Sequence, residues 1–146
     1  MKTSPAITDR MKKAASLELS ELHEKVAIEL DDSLSPKTVL AVIRSLPIKM
    51  TINRWGYELY TDETPIKEEE ENGKSVVSLF DVAYWPEGSA LCFFYGPTPV
   101  SKQGKIMPYS PVNIIGRIIS KPTDARKFLD SIEKLHVNKK VTVWLH

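Results

Sequence analysis

The residue whose surroundings are best suited to chemistry is Glu58, a carboxylate in the run WGYELY that spans Trp55 to Tyr60. In a strand, Tyr60 lies on the same face as Glu58, and a turn at Gly56 brings Trp55 opposite. Desolvation among aromatic rings disfavours the charged form of a carboxylate, which is how general bases are tuned. Glu58 is therefore the candidate catalytic residue. The alternatives are that it points to solvent, or that it accepts backbone N–H bonds at the turn.

The aromatic candidates for a ligand site cluster in the segment Asp81–Ser101, which predicts a strand, a Pro-Gly turn, a second strand and a proline-rich loop. Side chains alternate between the two faces of a strand, so one set fills a barrel and the other meets a helix or a groove. Alternation groups Leu91, Phe93 and Tyr95 on one face and Ala90, Cys92 and Phe94 on the other.

Aromatic side chains are usually core residues, and that is the alternative for every ring in this hairpin. Three of them carry polar tips that need hydrogen-bond partners, so we predict that Tyr84, Trp85 and Tyr95 line the rim of a ligand pocket. Tyr60, beside Glu58, completes the aromatic part of the predicted site.

The loop after this hairpin contains four prolines between Pro97 and Pro111, which stiffen it and favour a shaped wall over a slack linker. The hydroxyls of Thr98 and Ser101 are predicted to bind a ligand, unless the prolines only fix the route between two strands. Neither hydroxyl has a histidine nearby in the sequence, so a nucleophile–base pair is not supported. Asn113, in an apolar strand, is expected to be structural because a buried amide needs hydrogen-bond partners.

Metal, cofactor and nucleic-acid sites are not predicted. The acidic run Glu68–Glu71 lacks the alternating ligand spacing and the glycine of a calcium loop, so a solvated face is expected there. With 20 Lys+Arg against 19 Asp+Glu the formal net charge is +1, which provides no long-range field for nucleic acid or an anionic membrane. Neither is an expected partner, whereas a homo-oligomer is left open.

Length and cysteine content indicate one domain in a reducing compartment. A chain of 146 residues is long enough to bury a stable core without disulfide bonds or bound metal ions. Its one cysteine, Cys92, cannot form an internal disulfide. The first residues lack the apolar centre of a signal peptide, and no stretch reaches the ~18 apolar residues of a membrane span. A cytoplasmic location is therefore expected.

The elements that must position these residues are mostly strands. From Ser16 to Leu30, apolar residues alternate, but the Glu and Leu residues of 14–24 also suit a helix. The period of two favours a hairpin that turns near His23-Glu24. Residues 1–15 are polar and basic, and they are predicted to form a flexible N-terminal tail.

Two helices and further strands complete the predicted fold. Pro36 opens an amphipathic helix that ends before Pro47, and Pro122 opens a second one. Residues 62–75 are charged and are predicted to form an exposed loop. The total of about eight antiparallel strands predicts a mainly β fold, a closed eight-stranded barrel capped by two short helices, with a single domain over residues 16–146.

Three segments resemble a bacterial and archaeal cyclophilin-like domain family of unknown function: WGYELY at 55–60, DVAYWPEGSALCFFYGPTPVS at 81–101 and SPVNIIGRI at 110–118. The resemblance extends over roughly residues 16–146. It implies a cyclophilin-like barrel without an established reaction. Phe80 stands where the family usually has glycine, and Tyr57 stands where an acidic residue is usual.

Prolyl isomerases of the cyclophilin class carry an arginine in a Phe-His-Arg context and then a QGGD run, and neither is in this sequence. The arginine nearest the corresponding region is Arg54, and isomerase chemistry is therefore doubtful. The expected function is the binding of a small organic ligand or an extended peptide in a groove beside the 81–101 hairpin. The alternatives are an enzyme, prolyl isomerase-like or otherwise, that uses Glu58, and a non-catalytic dimerising protein.

Overall fold

The computed structural model describes residues 11–136 and 140–146. Within these residues the strands are β1 (Lys12–Leu19), β2 (Glu24–Asp31), β3 (Ile48–Trp55), β4 (Glu58–Thr61), β5 (Asp81–Trp85), β6 (Ala90–Phe94), β7 (Asn113–Ile118) and β8 (Val141–Leu145), and the helices are α1 (Pro36–Ser45) and α2 (Pro122–His136). The strands close into a barrel in the order β1-β2-β7-β5-β6-β4-β3-β8, and every neighbouring pair is antiparallel. The predicted eight-stranded barrel is confirmed.

The first hairpin settles the choice between strand and helix near the N-terminus. β1 and β2 pair along their whole length, from Lys12 opposite Asp31 to Leu19 opposite Glu24, so the period of two identified the structure correctly. β1 also begins earlier than expected. Residues 12–15, which the sequence assigned to the flexible tail, pair with β2, because a strand needs backbone partners and not a strong apolar pattern in every residue. Residues 1–10 of the predicted tail lie outside the described residues.

The core lies inside the barrel and continues under the two helices. One apolar cluster contains residues from all eight strands, and helix residues such as Val39 of α1 and Phe128 of α2 join it. A second, smaller cluster lies on the outer face of β5 and β6 and contains Ala83, Cys92 and Phe94. The two faces predicted from alternation are therefore distinct: one fills the barrel, and the other faces outward.

The predicted exposed loop at 62–75 is mostly exposed, as expected, but hydrogen bonds to buried side chains also tie it to the barrel. The Tyr84 hydroxyl donates to the carbonyl of Ile66 at 2.8 Å and accepts from the Glu68 amide at 3.2 Å. The Asn113 amide donates to the carbonyl of Glu69 and its oxygen accepts from the Glu71 amide, which is the structural role expected for Asn113. The charged composition of the loop gave no indication that buried side chains would bind its backbone groups.

One carboxylate of this loop also caps helix α1. Glu71 accepts hydrogen bonds from the amides of Lys37 and Thr38, each at 3.0 Å, and from the Thr38 hydroxyl at 2.8 Å. Burial acts against the charge, but these hydrogen bonds outweigh it and lower the pKa of the Glu71 carboxyl. A negative charge at a helix N-terminus is favourable, and the N-cap residue Ser35 makes no side-chain cap of its own. The loop therefore contributes to the helix as well as to the barrel.

Phe80 keeps a backbone conformation that glycine adopts more readily. Its φ is +70°, its amide donates to the carbonyl of Phe94, and its carbonyl accepts from the Ile118 amide. The ring is almost fully buried and lies 5.7 Å below the guanidinium of Arg126. The departure from glycine at this position therefore leaves the turn intact and adds a buried ring.

Candidate functional site

A tight hairpin between β3 and β4 positions Glu58. Trp55 pairs directly with Glu58 across a two-residue turn, and Gly56 in that turn has a φ of +62°. Glycine at the first central position is what a type II′ hairpin turn requires. Because paired residues share a face of the sheet, the turn places the Trp55 indole beside the Glu58 carboxylate.

The neighbouring strands extend this face across the outside of the barrel. In β6, Phe94 pairs with Glu58 and Cys92 pairs with Tyr60. In β5, Ala83 pairs with Cys92, and Trp85 pairs with Ala90, the first residue of β6. The outward face of β4, β6 and β5 is therefore formed by one carboxylate, one thiol and aromatic rings.

The proline-rich loop covers this face, and the two predicted hydroxyls hold the loop in shape. The Thr98 amide donates to Ser101 Oγ at 2.9 Å, and the Met107 amide donates to the same oxygen at 3.0 Å. The Thr98 hydroxyl donates to the Met107 carbonyl. These bonds fix the backbone just before Pro108 and Tyr109. Thr98 and Ser101 are thus placed as supports of the loop, with their hydroxyls turned to its backbone.

Tyr109 lies between two indole rings above the outer face. Its ring centroid is 6.2 Å from that of Trp55 and 6.2 Å from that of Trp85, with interplanar angles of 72° and 84°. The tyrosine is nevertheless 70% exposed, so it forms a cover that solvent can reach. Trp85 is held from both sides, because its indole N–H donates to Ser110 Oγ at 2.7 Å and its ring lies against Gly88.

A cavity of about 280 Å³ remains between the sheet and this cover. Its lining consists of Trp55, Glu58, Tyr60, Trp85, Cys92, Pro108, Tyr109 and Val112. We call it the Glu58 pocket. Its volume is just below the range for ligand pockets, roughly 300–1,000 Å³. Its wall is mostly aromatic and apolar with one carboxylate, which is the usual composition of such sites.

Glu58 is the electrostatic centre of the pocket. The residue is 5% exposed, and among the described residues its Oε1 has no hydrogen-bond donor. Burial raises the pKa of the Glu58 carboxyl to about 7, although a hydrogen bond with the Cys92 thiol lowers it in part. Burial and the adjacent Glu58 charge raise the pKa of Cys92 well above its usual range, so this thiol stays neutral. A buried carboxylate that titrates near neutrality can exchange a proton or bind a donor.

The structure brings together three of the predicted site residues and separates the others. Glu58, Tyr60 and Trp85 line the Glu58 pocket. Tyr84 was predicted at the rim, but it lies inside the barrel and is fully buried. Tyr95 also belongs to the inner cluster, where its ring meets that of Tyr57 edge-on.

Several residues that line the Glu58 pocket were not predicted as site residues from the sequence. Tyr109, Pro108 and Val112 were not predicted, and Cys92 was interpreted only as a small buried hydrophobe. Alternation gave no signal for Cys92, because it separates the two faces of β6 without showing which one lies outside the barrel. A signal for Tyr109 did exist, because an aromatic residue between prolines in a stiff loop is well placed to cover a site.

Neither a metal site nor a catalytic arginine accompanies Glu58 in the described part of the chain. No three His, Cys, Asp or Glu side chains of residues 11–136 and 140–146 lie close enough together to hold a metal ion. Arg54, the arginine nearest the pocket in sequence, donates to Glu133 at 2.6 Å and to the Gly56 carbonyl at 2.8 Å, and it is not part of the lining. The pocket therefore has no arginine of the kind that a prolyl isomerase uses.

The helices within the described ranges are also too short or too polar for a membrane-spanning segment.

Comparison with known proteins supports the fold. The family model described as cyclophilin-like matches residues 15–140. The hypothetical protein AF2241 from Archaeoglobus fulgidus is 37% identical; its solution structure matches with a TM-score of 0.71 over 94% of this chain and 95% of that one. The structure of McbB in complex with tryptophan matches with a TM-score of 0.72 over 90% of this chain but 44% of the McbB chain. At 16% identity, that likeness concerns the fold alone. No curated protein matches the sequence.

Proposed function

Because the chain belongs to the cyclophilin-like family, whose fold does not determine a reaction, we propose its function from the Glu58 pocket: the protein binds a small organic molecule there. The ligand lies between the outer face of β4 and β6 and the cover formed by Pro108 and Tyr109. A polar group of the ligand reaches Glu58, and its apolar part contacts the aromatic wall.

The observation that carries this proposal is the unpartnered oxygen of Glu58. A buried polar group without a hydrogen bond costs free energy, and a buried carboxylate costs more. A leucine at this position would avoid both costs, and a glutamine would avoid the cost of burying the charge, so the carboxylate needs a reason to be there. Glu58 belongs to the lining of a cavity that a small molecule can enter, and a ligand donor that reaches its carboxylate would offset these costs.

The size of the pocket favours a small molecule over the extended peptide that was the other expectation. A cavity of about 280 Å³ suits a molecule with one or two rings. The dimerisation alternative relied on exposed aromatic rings: those of Tyr84, Phe93, Phe94 and Tyr95 are buried, whereas Tyr57 and Tyr109 are exposed, so this alternative stays a prediction. McbB was solved in complex with tryptophan, and an aromatic organic ligand for this chain would be of a related kind.

A fragment titration tests the proposal, because the chain has three tryptophans and two of them line the pocket. We expect indole, phenol or 2-phenylethanol to shift the indole N–H signals of Trp55 and Trp85 in ¹H–¹⁵N spectra, with dissociation constants of about 1 mM. Trp144 lies outside the pocket beside Lys49 and serves as the internal control. Equal shifts at all three indoles, or none at several millimolar fragment, would contradict the proposal.

A second candidate function is proton transfer, which the pKa of Glu58 favours. A general base works best when its pKa lies near the working pH, and burial raises that of Glu58 to about 7. Once a substrate is known, Glu58→Gln should lower kcat by roughly 10²–10⁴ and remove the acidic limb of the pH–rate profile. Full activity in this variant would leave only the binding function.

A further inference from the structure

The unpartnered oxygen of Glu58 also indicates the chemical class of the ligand. Resting on the proposed function, we infer that the ligand of the Glu58 pocket is an organic cation, a primary or secondary ammonium group carried on an aromatic or apolar body. Its N–H donates to the Glu58 carboxylate, and its charge lies against the aromatic rings. Three features of the pocket lead to this class: the charge balance, the ring faces and the free acceptor.

Among the described residues, no positively charged side chain lines the Glu58 pocket. An ionised Glu58 is the one full charge among the lining residues, since the others are aromatic, apolar or, in the case of Cys92, a neutral thiol. The guanidinium of Arg54 is directed to Glu133 on the outside. Buried charges in proteins are normally paired, so the compensating positive charge is expected to arrive with the ligand.

The aromatic wall provides a second site for positive charge. Trp55, Trp85, Tyr60 and Tyr109 surround the cavity, and tryptophan gives the strongest cation–π interaction of the aromatic residues. The indole N–H of Trp85 is already bonded to Ser110, so this ring offers the ligand its π-surface and not a donor. Rings around a carboxylate form a site that attracts cations and gives an anion no charge-assisted partner.

The free acceptor distinguishes between types of cation. An ionised carboxylate can only accept hydrogen bonds, and Oε1 of Glu58 is without a donor in the described residues. A quaternary ammonium has no N–H to donate to the Glu58 carboxylate, whereas a primary or secondary ammonium has at least one. Pro108, Val112 and Cys92 form the rest of the wall and suit an apolar body attached to the amine.

The binding of such a cation must depend on pH. The titratable groups that face Glu58 are Cys92 on β6, Tyr60 on β4 and Tyr109 on the cover. The raised pKa of Cys92 keeps it neutral, so Glu58 itself changes charge between pH 5.5 and 8.5. An ammonium ligand prefers the ionised form, and its affinity should therefore increase as the pH rises through about 7.

A matched pair of probes tests the inference: phenethylamine, which is a cation at pH 8, and 2-phenylethanol, its neutral isostere. We expect the wild-type protein to bind the amine at least tenfold more tightly at pH 8, because charge-assisted hydrogen bonds are stronger than neutral ones. Glu58→Gln should remove this preference. Glu87→Gln, which makes the same charge change at an exposed position in the β5–β6 turn, should keep it.

The outcomes separate the inference from the proposed function. Equal binding of both probes by the wild-type protein, a preference that survives Glu58→Gln, or binding of the alcohol alone would overturn the cation inference and leave the binding function standing. If neither probe nor the neutral fragments shift Trp55 and Trp85, both fail. A preference for the amine that increases from pH 5.5 to pH 8.5 and requires Glu58 supports both.

Discussion

Replacing Glu58 with glutamine is expected to stabilise the protein by about 3 kcal/mol at pH 8 and to leave its stability nearly unchanged at pH 4. Burial raises the pKa of this carboxyl from 4.5 to about 7, and each unit of difference corresponds to 1.36 kcal/mol. For a domain of this size, a change of about 3 kcal/mol corresponds to roughly 10 °C in Tm. Urea unfolding of both proteins at the two pH values measures the effect.

The sign follows from the direction of the pKa change. Below pH 4.5, Glu58 is protonated in the folded and unfolded protein, so it does not reduce stability. As the pH rises from 4.5 to about 7, the unfolded chain releases the proton before the folded one does, and stability falls. Above about pH 7 the loss is complete. Glutamine cannot ionise, so the variant avoids the loss over the whole range.

Glu87→Gln is the control for a general effect of net charge, since Glu87 is exposed and forms no part of the pocket lining. It should change stability by less than about 0.5 kcal/mol at both pH values. A Glu58→Gln protein that is less stable than wild type at pH 8, or equally stabilised at pH 4 and pH 8, would show that Glu58 is not a desolvated carboxylate. A stabilising change at a binding residue is the pattern expected where function opposes stability.

Replacing Gly56 with alanine is expected to lower the free energy of unfolding by about 3 kcal/mol and to weaken ligand binding as well. The φ of +62° disfavours any side chain there, and a Cβ would lie 2.8 Å from Pro99 Cδ and 3.0 Å from the carbonyl oxygen of Pro97. The loop must then move away from the β3–β4 turn. Because the same loop continues to Pro108 and Tyr109, the cover of the pocket should move with it.

Gly104→Ala separates the backbone effect from the contact effect. Gly104 has a φ of +75°, but a Cβ there meets nothing within 4 Å. Its replacement should lower the free energy of unfolding by about 1 kcal/mol and leave fragment binding unchanged. Thermal unfolding and the indole titration of both variants provide the comparison. If Gly56→Ala costs no more than Gly104→Ala, or if it leaves the affinity of 2-phenylethanol intact, the loop does not depend on close contact with the turn.

The sequence was sufficient for the fold because the relevant signals were local. Alternation predicted the hairpin of β1 and β2 against a competing helix, and Pro36 predicted the start of α1. Local signals failed where distant segments decide the outcome. The loop at 62–75 is mostly exposed as predicted, but the sequence did not show that the hydroxyl of Tyr84 and the carboxylate of Glu71 attach it to the barrel and to α1.

The candidate site was predicted in part, for the same physical reason. Alternation shows which residues share a face, but it does not show which face is inside a barrel. Tyr84 and Tyr95 were therefore assigned to the rim although both face the core, whereas Cys92 faces the pocket. The position of Tyr109 depends on how the loop folds back over Trp55 and Trp85, and no periodic pattern records that contact.

The most direct test of the central claim, that Glu58 is a buried carboxylate awaiting a partner, is the pKa of its side chain in the free protein. It can be followed by the ¹³Cδ chemical shift of labelled glutamate, with Glu58→Gln to assign the signal. We predict a midpoint of about 7, falling when phenethylamine is added because the ammonium stabilises the ionised form. A midpoint near 4.5, the ordinary value for glutamate, would contradict the claim and with it the proposed ligand site.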